Sequence, residues 1–227
     1  MTKNFKYLDI ITVFFVAVLL ISNIASTKIA QVGFMTLDGG TLLFPLAYIF
    51  GDILTEVYGF GRSRKVIWLG FGSAILMSLT FYIIGILPSA SGWDNQNAYM
   101  TILGQAPRIV LASLVAYFVG EFSNSFILAK LKIATKGKWL WIRTIGSTLV
   151  GELLDSAIFI TIAFLGVLPK ELLWELIIFN YLFKTAVEVV FTPITYVVVN
   201  FLKKKEHEDY YDIKTDFNPF LVKTDTK

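Results

Sequence analysis

Residues 172–202 read LLWELIIFNYLFKTAVEVVFTPITYVVVNFL, a run long enough and apolar enough to cross a bilayer, whose hydrocarbon core of about 30 Å takes roughly 20 helical residues. Within it Asn180, Lys184, Glu188 and Thr192 recur every four positions and so share one helix face. A charge at the centre of a lipid-facing helix costs about 2.5 to 3.5 kcal/mol, so this stripe must turn toward protein. The same conflict recurs along the chain. Lys28, Asp52, Glu56, Glu121, Glu152 and Asp155 also sit in apolar stretches, giving eight such ionisable side chains with Lys184 and Glu188. Asp52 and Glu56 are four apart and Glu152 and Asp155 three apart, so each pair shares a face. Groups placed in this way point inward, pair with one another and meet a polar solute, which is the pattern of a transporter.

The whole composition agrees. Of 227 residues 56% are hydrophobic and 15% aromatic, and the mean hydropathy is +0.67, more than the core of a soluble domain needs. Cysteine is absent and His207 is the single histidine, so the ligands of most zinc and haem sites are missing. No glycine-rich phosphate loop is present either. No cofactor, metal site, catalytic residue or enzymatic activity is expected. Energy must come from an ion gradient, from trapping of the solute or from another protein.

Six apolar stretches are predicted to span: Leu8 to Gln31, Thr41 to Val57, Val66 to Leu87, Ala106 to Leu131, Arg143 to Leu168 and Leu172 to Leu202. The fold class is therefore all-α, a polytopic bundle of six transmembrane helices. Lys3 and Lys6, then Arg62, Arg64 and Lys65, then Lys130, Lys132, Lys136, Lys138 and Arg143, then Lys203, Lys204 and Lys205 fall on one side of it. The other side has little beyond Arg108 and Lys170, so the excess of positive charge places both termini in the cytoplasm. Pro88 to Gln105, with Trp93 and Tyr99, becomes an outer loop or interfacial helix. Residues 1–202 form the transmembrane domain and 203–227 a polar cytoplasmic tail, from which Phe217, Pro219 and Phe220 could fold back.

Counting along the spans puts Asp155 and Lys184 near the bilayer middle, and Asp52, Glu56, Glu121, Glu152 and Glu188 toward the cytoplasmic half. Six acids exceed Lys28 and Lys184, so either some carboxyls hold protons or a cationic or donor-rich solute neutralises them. The candidate binding residues are Asn23, Asp52, Glu56, Glu121, Asn124, Glu152, Asp155, Asn180, Lys184 and Glu188. Ser22, Ser26 and Ala30 make a small-residue face that packs internally or receives a partner. Gly51-Asp52 in the second stretch is echoed by Gly151-Glu152 in the fifth, as in transporters built from inverted halves. Two rival classes remain: an intramembrane aspartyl protease using Asp52 and Asp155, and a membrane scaffold in which the pairs merely hold helices together.

The run Gly51-Asp52-Ile53-Leu54-Thr55-Glu56-Val57-Tyr58-Gly59, followed by Arg62, Arg64 and Lys65, resembles the signature of the queuosine-precursor transporters, the vitamin-uptake-transporter-like family. So do Ser22-Asn23, Pro107-Arg108, Gly120-Glu121 with Asn124-Ser125, Arg143-Thr144 with Gly146-Ser147, Gly151-Glu152 with Asp155-Ser156, and Lys184 with Glu188 and Thr192-Pro193. The resemblance implies uptake across a bacterial inner membrane of 7-cyano-7-deazaguanine and 7-aminomethyl-7-deazaguanine for queuosine salvage. It also implies a fold similar to the substrate-binding subunits of energy-coupling-factor transporters. The expected partners are the deazapurine and the bilayer, with a homodimer or an energy-coupling module left open and no nucleic acid. A carboxylate can accept two adjacent N–H donors of a guanine-like edge, amides such as Asn23, Asn124 or Asn180 can serve its carbonyl, and an aromatic ring can stack on it. Transport of another small polar solute or vitamin is the alternative within the class.

Overall fold

The computed structural model describes residues 5–221. The chain runs through α1 (Leu8–Ala25), a hairpin of β1 (Ile29–Val32) and β2 (Met35–Asp38), a 3-10 turn (Gly39–Leu42), α2 (Phe44–Tyr58) and α3 (Phe60–Ile86). It continues through the short α4 (Gln96–Ile102), then α5 (Ala106–Ala134), α6 (Leu140–Phe164) and α7 (Lys170–Glu206). Five helical segments are long and apolar enough to cross a membrane. Their outward faces carry Val13 and Phe14 on α1, Leu76 and Leu79 on α3, and Trp174, Ile178, Val190 and Val197 on α7, all exposed as lipid contact requires.

The first two predicted stretches are corrected. The expected helix to Gln31 stops at Ala25, where the amides of Ser26, Thr27 and Lys28 close the last turn. The chain then forms an antiparallel hairpin, Ile29 opposite Asp38 and Val32 opposite Met35, turning at Gly33 with φ +61°. Lys28, placed among the buried ions by the sequence, is exposed just past the helix end. The second stretch gives only 15 helical residues, about 22 Å, shorter than the five long apolar segments, and the hairpin and the 3-10 turn precede it. Irregular backbone packed among the helices needs hydrogen-bond partners in the protein. Asp38 supplies them: its Oδ1 accepts from the amides of Gly40 at 3.0 Å and Thr41 at 3.3 Å. The small-residue face of α1 receives this turn, since a Cβ on Gly40 would lie 2.0 Å from Ser26 Oγ.

The core is aromatic. Phe15, Tyr48, Phe71 and Tyr117 join α1, α2, α3 and α5, with Tyr48 and Tyr117 edge to face at 5.5 Å between ring centres. A second apolar cluster, Ile109, Phe159, Ile160, Phe164 and Leu176, binds α5, α6 and α7 toward their other ends. Between the clusters α5 and α6 approach backbone to backbone: a Cβ on Gly151 would stand 3.0 Å from Gly120 O, and one on Gly120 would meet the Tyr48 hydroxyl at 2.4 Å. That approach brings the polar residues of five helices into one volume.

Past Lys203 the helix continues to Glu206, and the chain then folds back under the bundle. Tyr210 N bonds Val57 O, Asp212 accepts from Phe60 N at the start of α3, and Arg64 donates to the carbonyls of Asp216 and Asn218. Phe217 seats against Phe60 and Phe126, and Phe220 against Trp68 and Phe118. The segment 96–102 is a short exposed helix tied to α3 through Gln96 and Tyr99.

Candidate substrate site

The α7 stripe is buried as its spacing requires: Asn180, Lys184, Glu188 and Thr192 all face the bundle interior. Lys184 is its centre. Its Nζ donates to Asp155 Oδ2 at 2.5 Å, lies 3.3 Å from Glu152 Oε2 and sits 4.7 Å from the centre of the Phe44 ring. Asn180, one turn away, donates to Asp38 Oδ2 at 2.9 Å. Asp38 also accepts from Ser26 Oγ and Thr41 Oγ1, so it locks α1, the 3-10 turn and α7 together.

A small cavity, with room for about one water, lies beside this group, lined by Asn23, Ser26, Asp38, Thr41, Phe44, Ser113, Asp155, Phe159 and Lys184, and by Gly40. The lining atoms left without a hydrogen-bond partner are two acceptors, Asn23 Oδ1 and Asp155 Oδ1; behind the lining, Asn180 Oδ1 and the Glu152 oxygens also lack one, as do the Ser22 and Tyr48 hydroxyls. Buried acceptors without donors are costly unless a donor-rich molecule meets them.

A second group lies alongside. Asn124 Nδ2 donates to Asp52 Oδ1 at 2.7 Å, and Ser125 Oγ donates to Glu121 Oε1 at 3.1 Å and exchanges a hydrogen bond with Thr55. Gly51 admits the Glu121 carboxylate, because a Cβ there would come within 2.1 Å of its Oε1. Glu188 has no hydrogen-bond partner on either oxygen.

Glu56 belongs elsewhere. It accepts from Arg143 Nη2 at 2.7 Å and Lys203 Nζ at 2.6 Å, with Lys132 Nζ 3.5 Å away. Lys132 and Lys203 both reach Asp209 of the folded-back tail, at 2.7 and 2.9 Å. Of the ten sequence candidates, the structure gathers Asn23, Asp155 and Lys184 at the cavity, with Asn180 and Glu152 beside them. Asp52, Glu121, Asn124 and Glu188 form the adjacent polar interior, and Glu56 is in an ion network with cations of three helices. Asp38 was missed; the signal for it was Asp-Gly-Gly-Thr, an acid placed to cap a turn. Asp52 and Asp155 bind different partners, Asn124 and Lys184, so nothing supports a shared-proton dyad of a protease.

The sequence pattern of the family described as "Putative vitamin uptake transporter" matches residues 38–198, from the capping aspartate to α7. A "Probable queuosine precursor transporter" of Bacillus subtilis is 32% identical over 188 residues, 82% of this chain and 81% of that protein. The "Queuosine precursor transporter" of Escherichia coli is 27% identical over 209 residues, 90% of this chain and 91% of that one. A "Probable queuosine precursor transporter" of Haemophilus influenzae is 28% identical over 73% of this chain and 70% of its own length. No solved structure matches the chain. With the apolar helices and the buried polar site, these likenesses run nearly the full length of the membrane domain, and the chain belongs to the queuosine-precursor transporter family, a family of multi-pass membrane transporters.

Proposed function

We propose that this protein imports 7-deazaguanine bases, 7-cyano-7-deazaguanine and 7-aminomethyl-7-deazaguanine, from outside the bacterial inner membrane for queuosine salvage. The observation that carries the reading is the pair of donor-less acceptors in the cavity lining, Asn23 Oδ1 and Asp155 Oδ1, with Asn180 Oδ1 behind Asp38. A guanine-like base presents adjacent N–H donors on one edge. The Asp155 carboxylate takes that edge, Lys184 donates to the base carbonyl, and Phe44 or Phe159 offers a ring for stacking. Because the cavity centre is so narrow, the base enters as α6 and α7 part from the hairpin and the 3-10 turn. Glu152, Glu188, Asp52, Glu121 and Asn124 then line its way inward.

The test is direct. In a cell that cannot make the bases but can use them, expression of the protein restores queuosine in tRNA at micromolar external base. Vesicles containing it accumulate radiolabelled base, and unlabelled deazaguanine competes. If vesicles take up no base under any gradient while another small polar solute is taken up, the solute assignment is wrong and the transporter class stands.

The orientation is part of this proposal: six passages in a bundle like that of energy-coupling-factor subunits, with both termini in the cytoplasm. The ends of α1, α2, α5, α6 and α7 near the basic residues Lys132, Arg143 and Lys203 meet around Glu56 and Glu206. The chain has no native cysteine, so a single introduced one reports its own side. Asn95→Cys, on the exposed segment before α4, reacts with an impermeant maleimide in whole cells, whereas Lys138→Cys, on the exposed turn before α6, reacts only after the membrane is opened. The reverse pattern inverts the topology.

A further inference from the structure

Among the described residues the polar interior around the cavity holds six buried carboxyls, Asp38, Asp52, Glu121, Glu152, Asp155 and Glu188, and one ammonium, Lys184. Asp155 takes the ammonium, Asp52 an amide donor and Glu121 a hydroxyl donor. Glu152 and Glu188 stand apart: neither oxygen of Glu188 has a hydrogen-bond donor and Glu152 has only the Lys184 ammonium that Asp155 already engages, although both residues are 1% exposed. They flank Lys184, Glu152 from α6 at 3.3 Å and Glu188 from one helical turn further along α7. Glu152 is within electrostatic reach of Glu188, and two ionised carboxylates so placed, with one ammonium that Asp155 already holds, are costly to keep buried. Something carrying one positive charge must join them.

We propose that Glu152 and Glu188 form a subsite for a single exchangeable positive charge: a proton when the transported base is neutral, and the primary ammonium of an aminomethyl base when it is not. The proposal rests on the reading of the cavity as a deazaguanine site. The geometry favours these two sources over a metal ion, because among the described residues no three acidic groups are placed to hold one. The charged and titratable groups facing the pair are Asp52 and Tyr48 on α2, Glu121 and Tyr117 on α5, Asp155 on α6 and Lys184 on α7, with Asp38 of the hairpin reaching Lys184 and Asp155 behind them. On α1 the sole ionisable residue is Asp9, at the far end of the helix. Lys184 is therefore the only cation in the set, and it is already shared between Asp155 and Glu152.

The proton balance gives the two bases different pH behaviour. A neutral cyano base binds beside the protonated pair, and no proton is gained or lost. An ammonium binds in place of the proton, so one proton leaves the protein for each aminomethyl base bound. Its affinity then rises about tenfold per pH unit while the pair is protonated in the free protein. The substituent would thus be told apart by what it displaces.

The experiment is equilibrium binding of both bases to the purified full-length protein in detergent between pH 5.5 and 8, repeated calorimetrically in two buffers of different ionisation heat. The expected result is a rising affinity for 7-aminomethyl-7-deazaguanine with about one proton released, and a flat affinity for 7-cyano-7-deazaguanine with none. Glu188→Gln removes the slope and lowers the aminomethyl-to-cyano affinity ratio about tenfold or more. Glu152→Gln is the second variant, in case the first does not fold, and is expected to lower the same ratio. Equal slopes for the two bases, or a slope and ratio unchanged in a folded variant, overturns the subsite while leaving base binding intact. Binding of neither base by the parent protein overturns the deazaguanine reading itself and the subsite with it.

Discussion

Asp155→Asn lowers uptake of both bases about 10- to 100-fold while the protein remains in the membrane at near-parental level. The side chain keeps its size but loses the charge and one of its acceptors at the cavity. A charge-assisted hydrogen bond contributes roughly 1.5 to 3 kcal/mol, or one to two decades in affinity. Removing one partner of a buried ion pair ordinarily destabilises a protein by about 3 to 5 kcal/mol, because the other charge is stranded. Here Lys184 is not stranded, since Glu152 lies 3.3 Å from its Nζ and takes over as counter-charge. Binding and folding therefore separate at this residue. Initial rates of radiolabelled uptake, normalised to protein in the membrane fraction, measure the effect. A variant that transports like its parent would make Asp155 a structural anchor for Lys184 alone.

The contrast between Asp155 and Glu56 shows what sequence spacing could reach. An ionisable stripe such as Asn180, Lys184, Glu188 and Thr192 has one inexpensive solution in a membrane, facing inward, and all four are buried. The gathering of Asn23, Asp155, Asn180 and Lys184 follows from that constraint. The end of α1 was not legible, because Ile29 to Val32 is as apolar in a strand as in a helix and composition cannot separate the two. Lys28 was misplaced for this reason. Asp38 was hidden because its role depends on a turn only four residues long, whose hydrogen bonds to Ser26 and Asn180 come from elements 12 and 142 positions away. Glu56 shares a face with Asp52, and spacing alone put it at the solute. What takes it away is the arrival of Lys132 from α5, Arg143 from α6 and Lys203 from α7, an arrangement set by packing.

Glu56→Gln is accordingly expected to be among the most destabilising single substitutions in the molecule. Lys132 and Arg143 are each 1% exposed, and with Lys203 they would face one another across a neutral amide. Asp209 would remain to offset them, from an exposed position on the tail. Uncompensated buried charge of this kind costs about 3 to 5 kcal/mol, a large share of the stability of a typical domain. The unfolding midpoint in detergent should fall clearly, with less protein recovered from the membrane. Asp209→Asn should be milder, because that carboxylate is partly exposed and screened. Partial burial opposes its ionisation, but hydrogen bonds from Lys132 and Lys203 prevail and hold the carboxyl below the usual aspartate range. A carboxyl lowered by folding stabilises above its unfolded-state value and loses that contribution as pH falls through the lower folded one. The tail should therefore loosen only in acid, below about pH 4, and protease sensitivity of residues 207–221 against pH would follow it. If Glu56→Gln melts like the parent and instead loses uptake, Glu56 serves the solute, as its four-residue spacing from Asp52 suggested, and the ion network is incidental.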